Sequence, residues 1–251
     1  MNHTADAKIA HASVNVPCRL VIVRGWWLLV VCASGCRVGF DMQEPVLDDA
    51  HPDLGPIEAG ATRTEAWGED SAADHRSVTT DTYLDSEQGK RDNNYGAATS
   101  LSFEGNPLLR FDLSALAKTS RILSASLRVS ISGSQHGAID VYPVLEAWTG
   151  GTLSGMVGVA SYNQRTAGTA WSSPGCGAPS SRSGESAAEF PPNVTGEQTI
   201  DLPAPLVEAW IGAPSDNYGI TLVQQSGDDT RIVSSEGTDG SRPRLVLTYL
   251  P

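Results

Sequence analysis

Nine consecutive residues, Leu123-Ser-Ala-Ser-Leu-Arg-Val-Ser-Ile131, alternate strictly between apolar and polar side chains. A period of two sends successive side chains to opposite faces of an extended chain. The run therefore predicts a half-buried strand, with Leu123, Ala125, Leu127, Val129 and Ile131 facing a core. Shorter runs with the same character cover 81–84, 100–103, 108–113, 139–145, 198–202, 218–224, 231–235 and 244–249, separated by Gly, Pro, Asn and Ser. A doubly wound fold would need long helices between such strands. Only 205–211 has helical character, with Pro205 suited to a first turn and Gly212 to a stop. The expected fold is all-β: an antiparallel jelly-roll β-sandwich with one short helix.

The first 80 residues lack this pattern. Arg19 and Arg24 precede the apolar run 25–33, which is too short to cross a bilayer core but suits the h-region of a signal peptide. The stretch Ala33-Ser-Gly-Cys36 resembles a bacterial lipobox, which makes Cys36 the expected lipidation site and new N-terminus. Residues 1–35 read as signal peptide and 36–80 as an acidic, disordered tether, with Pro45, Pro52 and Pro56 and ten acidic residues against three arginines. An edge strand at 59–67 is the alternative reading of its end. Residues 81–251 are then the folded domain. The expected location is outside the cytoplasm, anchored to a membrane through the lipid or released.

Charge and residue chemistry narrow the function. The net charge of −12, with only three lysines, argues against nucleic acid, whose phosphates need clustered basic side chains. With Cys18 and Cys32 removed with the signal and Cys36 lipidated, Cys176 stands alone and no disulfide framework is expected. The expected domain retains a single histidine, His136, which gives little basis for a histidine zinc site or a Ser-His-Asp triad. Carboxylates are numerous enough for a glycosidase pair, but their spacing does not bring two of them to one cleft. Oxygen donors permit a structural calcium ion: Asp81 and Asp85 flank the first expected strand, while Asp228, Asp229, Glu236 and Asp239 crowd the last turns. Sugar rings stack on exposed aromatic faces. Trp148 and Trp210 follow apolar runs and suit a core, whereas Trp171 sits in a loop context.

The order of short motifs resembles the DNRLRE-domain proteins, related to the family 96 carbohydrate-binding modules. The matching pieces begin with Asp81-Thr-Tyr-Leu-Asp85, Asn94-Tyr-Gly96, Leu108-Leu-Arg-Phe-Asp-Leu-Ser114 and Ile122-Leu-Ser-Ala-Ser-Leu127. They continue with Glu146-Ala-Trp-Thr149, Ser161-Tyr-Asn-Gln-Arg-Thr-Ala-Gly168 with Trp171, Asn217-Tyr-Gly219, Ser234-Ser-Glu236 and Pro243-Arg-Leu-Val-Leu-Thr-Tyr249. The resemblance implies a jelly-roll sandwich of bacterial and archaeal surface proteins, often joined to polysaccharide-active enzymes. Tyr162, Arg165 and Trp171 are the ligand-binding candidates, and Asp81, Asp85 and Glu236 the metal candidates. Tyr162 departs from the Trp common in the family.

Arg110 lies between Leu109 and Phe111 in an expected strand, and a half-buried guanidinium needs a partner. Glu236 is the expected one. The expected function is a non-catalytic surface lipoprotein that binds polysaccharide or a matrix component. The alternatives are a structural or assembly protein of the cell surface, and a polysaccharide lyase or hydrolase. In an acidic domain, an anionic ligand would require clustered arginines or bridging calcium.

Overall fold

The computed structural model describes residues 61–133, 137–227 and 230–251. The signal, Cys36 and most of the tether lie outside the described residues, as do His136, Asp228 and Asp229. In chain order the strands begin with β1 (Arg63–Gly68), β2 (His75–Arg76), β3 (Thr79–Asp85), β4 (Asn93–Asn94), β5 (Ser100–Ser102), β6 (Gly105–Phe111), β7 (Arg121–Ser132) and β8 (Ile139–Pro143). They continue as β9 (Met156–Val157), β10 (Gln164–Thr166), β11 (Thr169–Ala170), β12 (Ala188–Phe190) and β13 (Gly196–Leu202). After helix α1 (Ala204–Gly212) come β14 (Ile220–Gln224), β15 (Arg231–Val233) and β16 (Arg244–Leu250).

Two large sheets result. One runs β2-β1-β16-β7-β15-β5, with β13 on the other edge of β7; the second runs β12-β8-β14-β6-β3. Apart from the parallel β1–β2 pair, their ladders are antiparallel. The described residues thus form the all-β, jelly-roll type of sandwich with one short α-helix that the sequence predicts.

The main core between the sheets draws Leu127, Val129 and Ile131 from β7, Leu245 and Leu247 from β16, Leu109 and Phe111 from β6, and Ile220 and Leu222 from β14. Each side chain of this size contributes roughly 1.5–3 kcal/mol when fully buried. The helix closes one end with Val207, Trp210 and Ile211 buried.

Two expectations need correction. First, the folded unit begins before residue 81. β1 pairs with β16 from Arg63↔Tyr249 to Trp67↔Leu245, and Trp67 is 2% exposed in the main core. The acidic residues of 61–80 hid this strand, because Glu65 is consumed by specific contacts: its Oε2 accepts from the Tyr249 hydroxyl and meets His75 Nε2 at 2.8 Å. Second, Leu123 does not face the core and is 45% exposed. Thr248 pairs with Ser124 but Tyr249 pairs with Ile122, so Leu123 is the extra residue of a β-bulge. The bulge flips the alternation and turns Ile122 inward, while the Ile122 N–H donates to Glu208 Oε1 on the helix at 3.1 Å.

The outer face of the second sheet carries another layer. The long connection between β8 and β12 folds back over it and builds a second small core from Leu84, Leu108, Val144, Trp148, Ala160, Trp171 and Cys176. Asn94 pins this layer: its Nδ2 donates to the Gly150 and Ala160 carbonyls, and its Oδ1 accepts from the Gly96 and Leu153 N–H groups.

Candidate functional site

Arg110 belongs to β6 and stands opposite Thr80 of β3. Its neighbours Leu109 and Phe111 enter the main core, so alternation places Arg110 on the outer face, under the rim of the folded-back layer. There its guanidinium lies over the Trp148 ring, 5.1 Å from the centroid. Nη1 donates to the Trp148 carbonyl at 3.3 Å and Nη2 to Thr80 Oγ1 at 3.4 Å, both long bonds that leave donor capacity open. Burial pulls the Arg110 pKa down, against the opposing pull of the Asp112 charge. Asp112 does not close an ion pair with it; Asp112 Oδ1 accepts from the Ser114 N–H instead.

The Arg110–Glu236 pair expected from the sequence does not form. Arg110 faces outward, whereas Asp81, one residue along from Thr80, faces the sandwich interior, and Glu236 meets Asp81 there. The partners proposed for each other lie on opposite faces of one sheet.

An open cleft of about 390 Å³ surrounds Arg110, lined by Val78, Thr80, Asp112, Ala147, Ser215 and Tyr218 among others. The turn after α1 forms its far wall. Asn217 holds that turn in place: its Nδ2 donates to the Phe111 carbonyl and its Oδ1 accepts from the Gly219 N–H. Gly219 is required here because it has φ of +74° and its Cα approaches the Leu109 carbonyl so closely that a Cβ would lie 2.1 Å from the oxygen. Tyr218 caps Trp148, whose indole Nε1 donates to the Tyr218 carbonyl at 2.7 Å.

Val78, 61% exposed, separates this cleft from a second one of about 250 Å³, lined by Glu69, Arg76, Ser77 and Arg242. The Arg242 guanidinium donates to the Gly237 and Glu69 carbonyls, while its backbone N–H donates to Asp70 Oδ2 at 3.0 Å. Among the described residues, none of Arg76, Arg110 and Arg242 has a carboxylate within ion-pair distance. The glutamate bordering the second cleft, Glu69, accepts the Thr79 N–H through Oε1.

The ligand candidates drawn from the loop do not converge on this cleft. Trp171 is 3% exposed, part of the second core, and donates its indole N–H to the Ser161 carbonyl. Its position in a Gly- and Ser-rich loop looked open because the sequence did not reveal that the whole connection folds back onto the sheet. Arg165 donates to the Ala147 carbonyl at 2.7 Å and faces Glu146 at 3.6 Å, tying the layer to itself. Tyr162 is half-buried beneath Arg91, whose guanidinium lies 4.9 Å from its ring, and packs against Gly175.

The metal candidates divide in two. Asp85 is satisfied within the protein: Oδ1 accepts the Glu87 N–H and Oδ2 the Tyr95 hydroxyl. Asp81 and Glu236 do come together, about 13 Å along the strand from Asp85. Among the described residues no three His, Cys, Asp or Glu side chains form a metal-sized group. The cleft residues Arg76, Val78 and Arg242 were missed in the sequence; Arg110, an arginine between two core-facing residues, was the one available signal. No protein-family model matches the chain, and no curated protein matches it either.

Proposed function

We propose that this protein is a non-catalytic, polysaccharide-binding module, and that the Arg110 cleft together with the adjoining Arg76–Arg242 cleft is its ligand surface. The observation that carries this reading is the guanidinium of Arg110, held over Trp148 and open to a cleft without a carboxylate partner. A fixed planar fork of donors suits the hydroxyl and carboxyl oxygens of a sugar chain. The flanking Thr80, Ser215 and Val78 offer small polar and apolar contacts of the kind a pyranose ring presents. Two clefts in a row on either side of Val78 fit an extended chain better than a compact metabolite. Three arginines without ion-pair partners lining the two clefts, beside Asp112 and Glu69, lessen the electrostatic objection to an anionic glycan on an acidic domain.

The resemblance to carbohydrate-binding modules supports the same reading, as does the expected export and lipid anchoring through Cys36. A surface assembly role would need a flat apolar patch; among the described residues the exposed large apolar side chains are Val78, Leu123, Leu145 and the neighbours Met156 and Val157. A lyase or hydrolase would need converging acid and base groups; Asp112 is the one carboxylate that lines the Arg110 cleft, and its Oδ1 is taken by the Ser114 N–H. The test is glycan-array binding by the full chain and by its Arg110→Ala variant. Retention by neutral or acidic polysaccharide, lost in the variant, is the expected result. Equal binding by both proteins would move the site elsewhere, and no binding to any glycan would overturn the function.

A further inference from the structure

The Arg76–Arg242 cleft differs from its neighbour in charge. Arg110 and Asp112 are the charged residues lining the first cleft, so its formal charges cancel. The second, of about 250 Å³, is lined by Arg76, Arg242 and Glu69 and keeps one positive charge. Arg76 is exposed at the end of β2, and among the described residues its guanidinium has neither an ion pair nor a hydrogen bond. Arg242 directs Nε to the Gly237 carbonyl and Nη1 to the Glu69 carbonyl, which leaves Nη2 uncommitted.

Ser77 lines the same cleft. It is 8% exposed, and its hydroxyl is buried with no partner, although its N–H donates to the Gly68 carbonyl at 3.1 Å. Buried hydroxyls are rarely left in this state. A hydroxyl is also a rotor that turns its proton to whichever acceptor arrives. The acids nearby are engaged with backbone: Glu69 Oε1 accepts the Thr79 N–H, and Asp70 accepts the Ala72 and Arg242 N–H groups. Asp239, whose charge also acts on Arg242, accepts the Ser71 N–H. Two guanidinium groups and one hydroxyl are thus left as donors for a ligand.

We infer that this cleft holds a sulfate ester of a polysaccharide whose next sugar lies in the Arg110 cleft, a step that rests on the glycan-binding role of the two clefts. Three donor groups match the three terminal oxygens of a sulfate half-ester, whereas a carboxylate or a phosphodiester offers two. A phosphate monoester also has three, but it carries about −1.5 to −2 charges at pH 7. The lining balances one negative charge, and Glu69 beside it repels a second. The first cleft, with its charges cancelled, suits an unsubstituted sugar. Exposed Val78 between them offers the ring an apolar shoulder.

The test is calorimetric titration of the full chain at pH 7 and about 0.15 M salt with a sulfated galactan, the same galactan after desulfation, that backbone carrying phosphate monoesters, and a polyuronate, all of matched length. The sulfated galactan is expected to bind at least about tenfold more tightly than the other three. Arg76→Ala, a change at an exposed position, is expected to bring it down to the affinity of the desulfated galactan, and Ser77→Ala to weaken it about threefold. Glu69→Gln keeps an acceptor for the Thr79 N–H while removing the negative charge, and is expected to tighten the sulfated polymer and to admit the phosphorylated one. Equal affinity for the sulfated and desulfated galactans, or tighter binding of the polyuronate, overturns the sulfate subsite and leaves polysaccharide binding in place. A sulfate preference that survives Arg76→Ala overturns the subsite as well. Binding to none of the four does the same, and polysaccharide binding itself falls only if the wider glycan array is also blank.

Discussion

The guanidinium of Arg110 lies 5.1 Å from the centre of the Trp148 ring and on the far side of its sheet from Glu236. This arrangement makes Arg110 a surface-facing group whose structural bonds are weak. A cation–π contact of this partly exposed kind is worth about 0.5–1 kcal/mol, and its two hydrogen bonds are long. Arg110→Ala is therefore expected to lower Tm by no more than about 2–4 °C while reducing glycan binding at least tenfold, as read by parallel thermal and affinity measurements. Arg110→Lys is expected to restore the charge but little of the binding, since an ammonium lacks the planar fork.

Asn217 and Asn94 show the opposite balance, with structural bonds at both the Nδ2 and the Oδ1 of each amide. Asn94→Ala would leave the Gly150 and Ala160 carbonyls and the Gly96 and Leu153 N–H groups without their partner. A loss of about 2–4 kcal/mol in chemical denaturation is expected, with the larger share from orphaned buried groups. Asn94→Asp is expected to be nearly as harmful, because a carboxylate accepts but cannot donate to those carbonyls.

These two residues also mark where the sequence was informative. The tripeptides Asn94-Tyr-Gly96 and Asn217-Tyr-Gly219 share no repeat period, yet both use the same turn, with the Asn Oδ1 accepting the N–H of the glycine two residues on. Local chemistry of that kind is legible because it depends on adjacent residues alone. Apart from β1, β2 and β12, the strands of the two main sheets were legible for the same reason, through their period of two. The bulge at Leu123 was not, since it is set by a partner more than a hundred residues away, at Thr248 and Tyr249. Nor was the folding-back of the β8–β12 connection, which buried Trp171 and left Arg110 at the rim. Arg110 itself was flagged correctly as unusual; its mistaken pairing came from not knowing which face of the sheet Glu236 would reach.

Glu146 should make the outer layer sensitive to acid. Burial works against its ionisation, but hydrogen bonds from Ser172 and Ser181 and the Arg165 charge prevail and hold its carboxyl below the ordinary value of 4.5. A depressed folded-state value means that its contribution is present in full above the unfolded pKa and is lost as pH falls through the folded one. Between about pH 5 and pH 3, the 144–187 segment is expected to gain hydrogen exchange before the main sheets do. Glu146→Gln should remove this early step and leave the exchange of β7 and β16 unchanged. If both proteins lose protection at the same pH, the layer is held by its apolar core and not by this carboxylate.

Cys176 gives the most direct check that the outer layer is packed as described. Its thiol is buried, burial pushes its pKa up to about 12, and its Sγ approaches the Ser181 carbonyl at 3.6 Å. A thiol protonated at pH 8 and shielded from solvent reacts slowly on both counts, because alkylation requires an accessible thiolate. Peptide mapping after iodoacetamide treatment at pH 8 is expected to find Cys176 unmodified in the native protein and fully alkylated in denaturant. Arg165→Ala, which unties the layer from Glu146 and the Ala147 carbonyl, should speed native labelling without affecting the global unfolding midpoint by more than a few degrees. Rapid labelling of Cys176 in the unmodified native protein would mean that the 144–187 segment opens freely, and that Trp171 is accessible to a ligand after all.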